Sequence, residues 1–145
     1  MHAVKLLLDN AGRLATRESV HDNVFWRGAE PQLSLCVEAH GEDVSSLLDQ
    51  LARSEGIERA EIIVQDDGRC SHEILARMQD AAGRLRAAIR IVRAAGAARG
   101  HAATHARTCW IVMLDRSSNL SPKFVATGLK AMEAGVLPAR LSEAS

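Results

Sequence analysis

Glu61-Ile-Ile-Val-Gln-Asp-Asp-Gly68 is the stretch that decides the reading of this chain. Its core, Ile62-Ile63-Val64, is short, β-branched and stopped by a turn signal, which predicts a buried strand ending in a loop. Asp66 and Asp67 then fall just past the strand's C-terminal end, the edge at which open α/β sheets bind ligands. Trp110-Ile-Val-Met-Leu114 repeats the arrangement, with Asp115 at its end. Two apolar strands, each delivering an acid to one rim, suggest a polar ligand held between them. Asp-Gly is also a common turn dipeptide, so Asp66-Asp67-Gly68 reads equally well as a plain turn.

Outward from that stretch the chain alternates. Upstream, Pro31 opens an alternating series, and Leu33 to Val37 is a strand. Asp43 is a plausible N-cap for a helix with Val44, Leu47, Leu48 and Leu51 on one face. Gly56 follows its end. Downstream, Ser71 caps a second helix whose stripe is Leu75, Met78, Ala82 and Leu85, and whose first turn holds His72. Ile89 to Val92 is a third strand. Gly96 to Arg107 is Ala-rich and reads as helix interrupted at Gly100, and Cys109 to Leu114 is the fourth strand. Ser121-Pro122 starts a last helix, with Ser as N-cap and Pro at N1. Val125, Leu129 and Met132 share its face, and Gly135 ends it. The first thirty residues are polar, with one helix expected over Val4 to Thr16 and a loop carrying Phe25-Trp26.

Strands alternating with helices imply βαβ units. The expected fold is a three-layer α/β domain, mostly parallel, with helices on both faces. It spans residues 31–137, after an N-terminal extension over 1–30 and before a tail over 138–145.

Bulk properties narrow the function. At 145 residues there is material for one domain with a single core. Eighteen basic residues balance eighteen acidic ones, which gives no electrostatic case for nucleic acid or an anionic membrane. With no Tyr, two Trp and two Phe, stacking platforms for single strands are scarce. No run is long enough for a membrane span, and Met1 to Asn10 does not read as a signal peptide. The three cysteines, Cys36, Cys70 and Cys109, are widely spaced and form no metal-finger pattern. Cys36 and Cys109 fall on expected strands. Buried, reduced thiols in a cytoplasmic protein are the reading.

Over roughly Gln32 to Glu133 the ordered landmarks resemble the nucleotide-binding half of family 2 glycosyltransferases, which have the GT-A (Rossmann-like) fold. A first strand ends in the polar loop Val37-Glu-Ala-His-Gly-Glu42. The acid turn Gln65-Asp-Asp-Gly-Arg69 follows the second strand. A Gly/Ala-rich segment carries an Arg, here Gly96-Ala-Ala-Arg99. The fourth strand ends in Leu114-Asp-Arg-Ser117, and a helix starts at Ser-Pro. The resemblance implies a nucleoside-diphosphate-sugar site made by Asp66, Asp67, Arg99 and Asp115; His40, at the rim in the first loop, reads as a further ligand contact or as an exposed loop histidine. In that site the acid turn reads the base, Arg99 contacts base or diphosphate, and Asp115 holds ribose and a divalent metal, Mn²⁺ or Mg²⁺. The implied reaction is transfer of a glycosyl group to an acceptor hydroxyl with inversion.

The sequence also departs from that family. Ser117 stands where an Asp-x-Asp motif has its second acid, with Arg116 between. A guanidinium matches phosphate geometry, so Arg116 is a candidate for the missing positive charge. No general base can be named. The alternative is a catalytically degenerate domain that binds ligand or assembles with a partner chain or a second copy, with Val136 and Leu137 as candidate contacts. His101 and His105 lie four apart, the spacing of a metal pair on a helix. Lacking a third ligand in sequence, they read better as solvent-facing. Arg77, Arg84, Arg86, Arg90 and Arg93 read as a solvated face.

Overall fold

The structure, a computed structural model, describes residues 18–135. The helix expected over Val4 to Thr16, and Val136 and Leu137, lie outside the described residues. Five strands form one sheet: β1 (Glu18–Asp22), β2 (Leu33–Glu38), β3 (Ala60–Asp66), β4 (Ala88–Ala94) and β5 (Ile111–Asp115). Three α-helices accompany them: α1 (Ser45–Ala52), α2 (His72–Arg84) and α3 (Phe124–Glu133). The strand order is β1-β4-β3-β2-β5. The four strands expected from apolar runs are mutually parallel, and β1 joins the edge antiparallel to β4.

One face of the sheet carries the main core. Leu33, Leu35, Val37, Ile62, Val64, Ile89 and Ile91 point into it from the strands. Leu47, Leu48 and Leu51 of α1, Met78, Ala81 and Ala82 of α2, and Phe124, Val125 and Leu129 of α3 meet them there. Burying a Leu or Ile side chain fully is worth about 1.5–3 kcal/mol, so this layer supplies most of the folding drive. Helices on both faces were expected. Instead all three described α-helices pack on this one face. Among the described residues the second face is covered by the loop around Trp26 and a short 3-10 turn, His101–His105. The segment from Gly96 to Arg107 is therefore not an α-helix. Gly100 sits at φ 83, a left-handed conformation that stops a right-handed helix, and Ala106 is already extended.

The helix starts differ in detail. Ser71 caps α2 as expected, accepting a hydrogen bond from the Ile74 N–H at 3.2 Å. At α1 the N-cap is Val44, and Asp43 accepts from Ser45 N at 2.9 Å one residue earlier. Ser121-Pro122 does not open α3. The Ser121 carbonyl accepts from Phe124 N at 3.0 Å, forming a turn, and Lys123 is the N-cap.

Strand β1 has no counterpart in the sequence reading. Glu-Ser-Val-His-Asp is polar and mostly exposed, so no apolar alternation announces it. Side chains from neighbouring elements hold it instead: Arg90 of β4 grips Asp22 with two bonds of 2.7 and 2.9 Å. Arg90 also lies over the Trp26 ring at 4.6 Å, and Arg107 lies over it at 3.8 Å. Arg90 thus belongs to the packing of the second face, not to a solvated stripe. Cys109 is exposed and precedes β5, so only Cys36 and Cys70 are buried thiols.

Candidate functional site

Parallel strands bring their C-terminal ends to one rim. The chain runs β2, β3, β4 in one direction across the sheet and then returns to place β5 on the other side of β2. The crevice between β2 and β5 is therefore the topological switch point, the usual ligand position in such sheets. In register, Glu38 of β2 stands opposite Asp115 of β5. A small cleft of about 40 Å³ opens there, lined by Glu38, His40, Arg99, Met113, Leu114 and Asp115. His40, Arg99 and Asp115 were all expected from sequence, and the structure brings them together.

Each lining residue is held in place. Glu38 is buried, 4% exposed, at the last position of β2. One of its oxygens accepts from Gly100 N at 2.9 Å. The other lies 3.0 Å from His40 Nε2 without hydrogen-bond geometry. His40 occupies a left-handed backbone conformation, φ 51, the sole non-glycine residue with positive φ among those described. Such a conformation costs about 1 kcal/mol or more and persists only where its surroundings enforce it. Arg99 is presented by a short turn pinned from both sides by Gln65. The Gln65 amide donates to Ala98 O at 3.2 Å and accepts from Ala102 N at 2.5 Å.

Asp115 is constrained by Ser117. The Ser117 hydroxyl, helped by its own N–H and by the positive potential of His40 and Arg99, holds the Asp115 carboxyl below the ordinary carboxylate range. Partial burial works the other way and loses. Arg116 turns aside and pairs with Glu42.

The acid turn behaves differently from its neighbours on the rim. Asp66 is fully buried and structural. Its Oδ1 accepts from Gly68 N at 3.0 Å and Cys70 N at 3.1 Å. Arg93 Nε is 3.4 Å from the other oxygen, and the same guanidinium donates to the Gly68 and Cys70 carbonyls. Arg93 therefore clamps this turn and is not simply solvated. Gly68 has φ 96, and a Cβ there would come within 3.3 Å of the Ala95 backbone. Asp67 faces outward and pairs with Arg69 at 2.8 Å, which lowers its carboxyl below the usual range. Neither acid lines the cleft beside Asp115. Two buried carboxylate oxygens have no hydrogen-bond partner among the described residues, Glu38 Oε2 and Asp66 Oδ2, and both belong to this rim.

Sequence reasoning passed over Glu38 as a site residue. Its signal was available: an acid at the end of an apolar strand, the same signature that marked Asp66 and Asp115. Glu18 was passed over too, because β1 was.

His101 and His105 are partly buried, with side chains 23% and 11% exposed, not solvent-facing. Both point Nε2 at the Glu18 carboxylate, His101 at 2.8 Å and His105 at 3.1 Å. The three side chains place their ligand atoms within 4.8 Å of one another, a possible metal-binding triad. Partial burial tends to raise the Glu18 carboxyl, but hydrogen bonds from the two rings outweigh it and hold the group below the ordinary range.

No described helix is long and apolar enough to cross a membrane. Comparison with protein-family models, with curated proteins and with solved structures finds no match to this chain.

Proposed function

We propose that the rim of this sheet is a nucleoside-diphosphate-sugar site of the kind that the resemblance to family 2 glycosyltransferases implies. The observation that carries the reading is the convergence of Glu38, His40, Arg99 and Asp115 on the switch-point cleft. The buried Glu38 oxygen that accepts no hydrogen bond and the left-handed backbone at His40 lend it support, since unsatisfied polar atoms and backbone strain concentrate at functional sites.

Arg99 is the natural diphosphate contact, because a guanidinium offers forked donors to phosphate oxygens. Asp115 is the acceptor for ribose hydroxyls. The cleft holds only one small polar group, so the bulk of the ligand lies on the open rim above it. Asp67, just past the end of β3, is the acid that would meet the base by giving up its pair with Arg69. Asp66 is committed to the turn.

A divalent ion, Mn²⁺ or Mg²⁺, would lack the second acid of an Asp-x-Asp motif here, since Ser117 is neutral, and the neighbouring Glu38 is already held by Gly100 N–H and faced by His40. Hard cations need several oxygens, so nucleotide binding should depend little on the metal. The tethered Asp115 and the diverted Arg116 favour the second form of the reading, a ligand-binding or assembly domain that does not by itself transfer sugar.

Titration calorimetry of the 145-residue chain with UDP and GDP, with and without Mn²⁺, tests the proposal. Binding that Arg99→Ala weakens at least about tenfold, with modest metal dependence, supports it. Absence of binding to either nucleotide, or an Arg99→Ala variant that binds as wild type does, overturns it.

A further inference from the structure

The knot of Glu18, His101 and His105 shares no residue with the lining of the cleft. Glu18 opens β1 and pairs in register with Ala94, at the C-terminal end of β4. The two histidines bracket the 3-10 turn on the second face. In that turn they converge on one carboxylate from two directions, with ring centroids 6.1 Å apart and planes at 68°.

We propose that Glu18, His101 and His105 form a binding site for a transition-metal ion of the Zn²⁺ class, separate from the nucleotide rim. Two imidazoles and one carboxylate are a ligand set that tetrahedral Zn²⁺ accepts with one position left to solvent. Imidazole also argues against Ca²⁺ and Mg²⁺, which need more oxygens than one carboxylate supplies. The present separations of 2.8 and 3.1 Å are hydrogen-bond distances. They approach two edge lengths of a ligand tetrahedron, and the third, between the two rings, is within 4.8 Å, so an ion would take the place of the two hydrogen bonds to Glu18. Half-burial gives it both a low-dielectric pocket and an entry path.

Arg90 sets the cost. Its Nη1 donates to His105 Nδ1 at 3.2 Å, so the neutral ring carries its proton on Nε2 in the metal-free form. An ion at Nε2 moves that proton to Nδ1, where it faces Arg90, and this contact is given up. Arg90 retains its two bonds to Asp22. The site is therefore one of moderate affinity. His101 has no such conflict.

Cobalt(II) is the probe, because four-coordinate Co²⁺ absorbs visibly and strongly while six-coordinate Co²⁺ does not. The untagged 145-residue chain, carrying Cys109→Ser to remove the exposed thiol, is titrated with Co²⁺ and then with Zn²⁺. One four-coordinate Co²⁺ per chain, displaced by Zn²⁺, is expected. Two variants guard against misfolding. His101→Ala removes a ligand, and Glu18→Gln leaves an amide oxygen that can still accept from a ring N–H. Each should weaken Co²⁺ at least about tenfold, with the circular dichroism of Glu18→Gln unchanged. Failure of the parent chain to take up stoichiometric Co²⁺, or undiminished binding in a folded Glu18→Gln chain, overturns the proposal and marks the triad as a hydrogen-bonded tie between β1 and the turn. Nucleotide binding at the rim is tested separately, by Arg99→Ala, so the two proposals fail independently.

Discussion

Ser117 donates twice to a single oxygen of Asp115, through its hydroxyl at 2.5 Å and its N–H at 2.9 Å. The residue standing where an Asp-x-Asp motif would place a second acid thus serves to tie down the first. Ser117→Ala removes the principal cause of the lowered Asp115 pKa, which should rise toward its ordinary value. A folded-state pKa below the unfolded one stabilises above the unfolded value and is lost as pH falls through the folded value. The stability gap between wild type and Ser117→Ala should accordingly be full above about pH 4 and close below it. Carboxyl-carbon NMR titration with denaturation at several pH values checks both. The converse change, Ser117→Asp, adds a hard ligand and should strengthen Mn²⁺-linked binding of a diphosphate. If wild type already binds Mn²⁺ and nucleotide with strong mutual dependence, Ser117 is not where the metal acid belongs.

Asp66 and Asp67 are adjacent in sequence and should answer mutation in opposite ways. Asp66→Ala strands the buried Cys70 N–H and frees that of Gly68, at a cost of about 1–3 kcal/mol. Asp67→Ala removes a surface pair with Arg69 and a long, exposed bond from its N–H, and should change stability by less. In nucleotide titration the ranking reverses, with Asp67→Ala losing preference among bases. Unchanged base preference in that variant would remove Asp67 from the site.

The strands of the parallel core were legible because each is a β-branched or apolar run closed by turn residues, and burial on both faces demands such runs. Ser71 was legible because an N-cap is a local device. The turn at His101–His105 was not. Its Ala-rich composition favours helix, but Gln65 and Glu38 draw its N–H groups into bonds with β3 and β2. Those partners lie 37 and 62 residues away, beyond any local window. Strand β1 was hidden for the opposite reason: an edge strand with one exposed face needs little apolar residue, and its hold on the sheet rests on Asp22 and Arg90. With β1 went Glu18, and so the third member of the histidine cluster. At the rim, the acids that end β2, β3 and β5 do gather at the C-terminal edge of the sheet. Which of them point into the cleft depended on side-chain partners that sequence spacing does not record.

The thiols divide by burial. Cys36 and Cys70 are each pushed up to about 12, chiefly by burial, with Asp66 adding to the effect at Cys70. Thiolate is the reactive form. A disulfide reagent at neutral pH should therefore label one thiol per native chain, Cys109, and the other two only after denaturant. Rapid labelling of all three in the native protein would mean that both faces of the sheet open readily, since Cys70 lies in the main core and Cys36 on the second face.

Glu61, the first residue of the stretch that announces the fold, is wholly buried beneath Trp26 and Arg107. Its two oxygens take Arg107 Nε at 2.7 Å, Arg107 N at 2.6 Å and Ser34 Oγ at 2.7 Å. Arg107→Ala leaves this carboxylate without its counter-ion and uncovers the indole. Breaking a buried pair from one side costs about 3–5 kcal/mol, a large share of the stability of a domain this size. Arg107→Lys should recover little, because an ammonium cannot bond the carboxylate and the Trp26 carbonyl together and also lie flat on the ring. Replacing both partners by apolar residues, Glu61→Leu with Arg107→Met, removes the stranded charge and should recover most of the loss. Ser34 keeps Thr108 Oγ1 at 2.7 Å and is not orphaned by the change. Urea denaturation of the four proteins settles the matter. If the double variant is as unstable as Arg107→Ala, the second face is held by shape around Trp26 rather than by the need to neutralise Glu61.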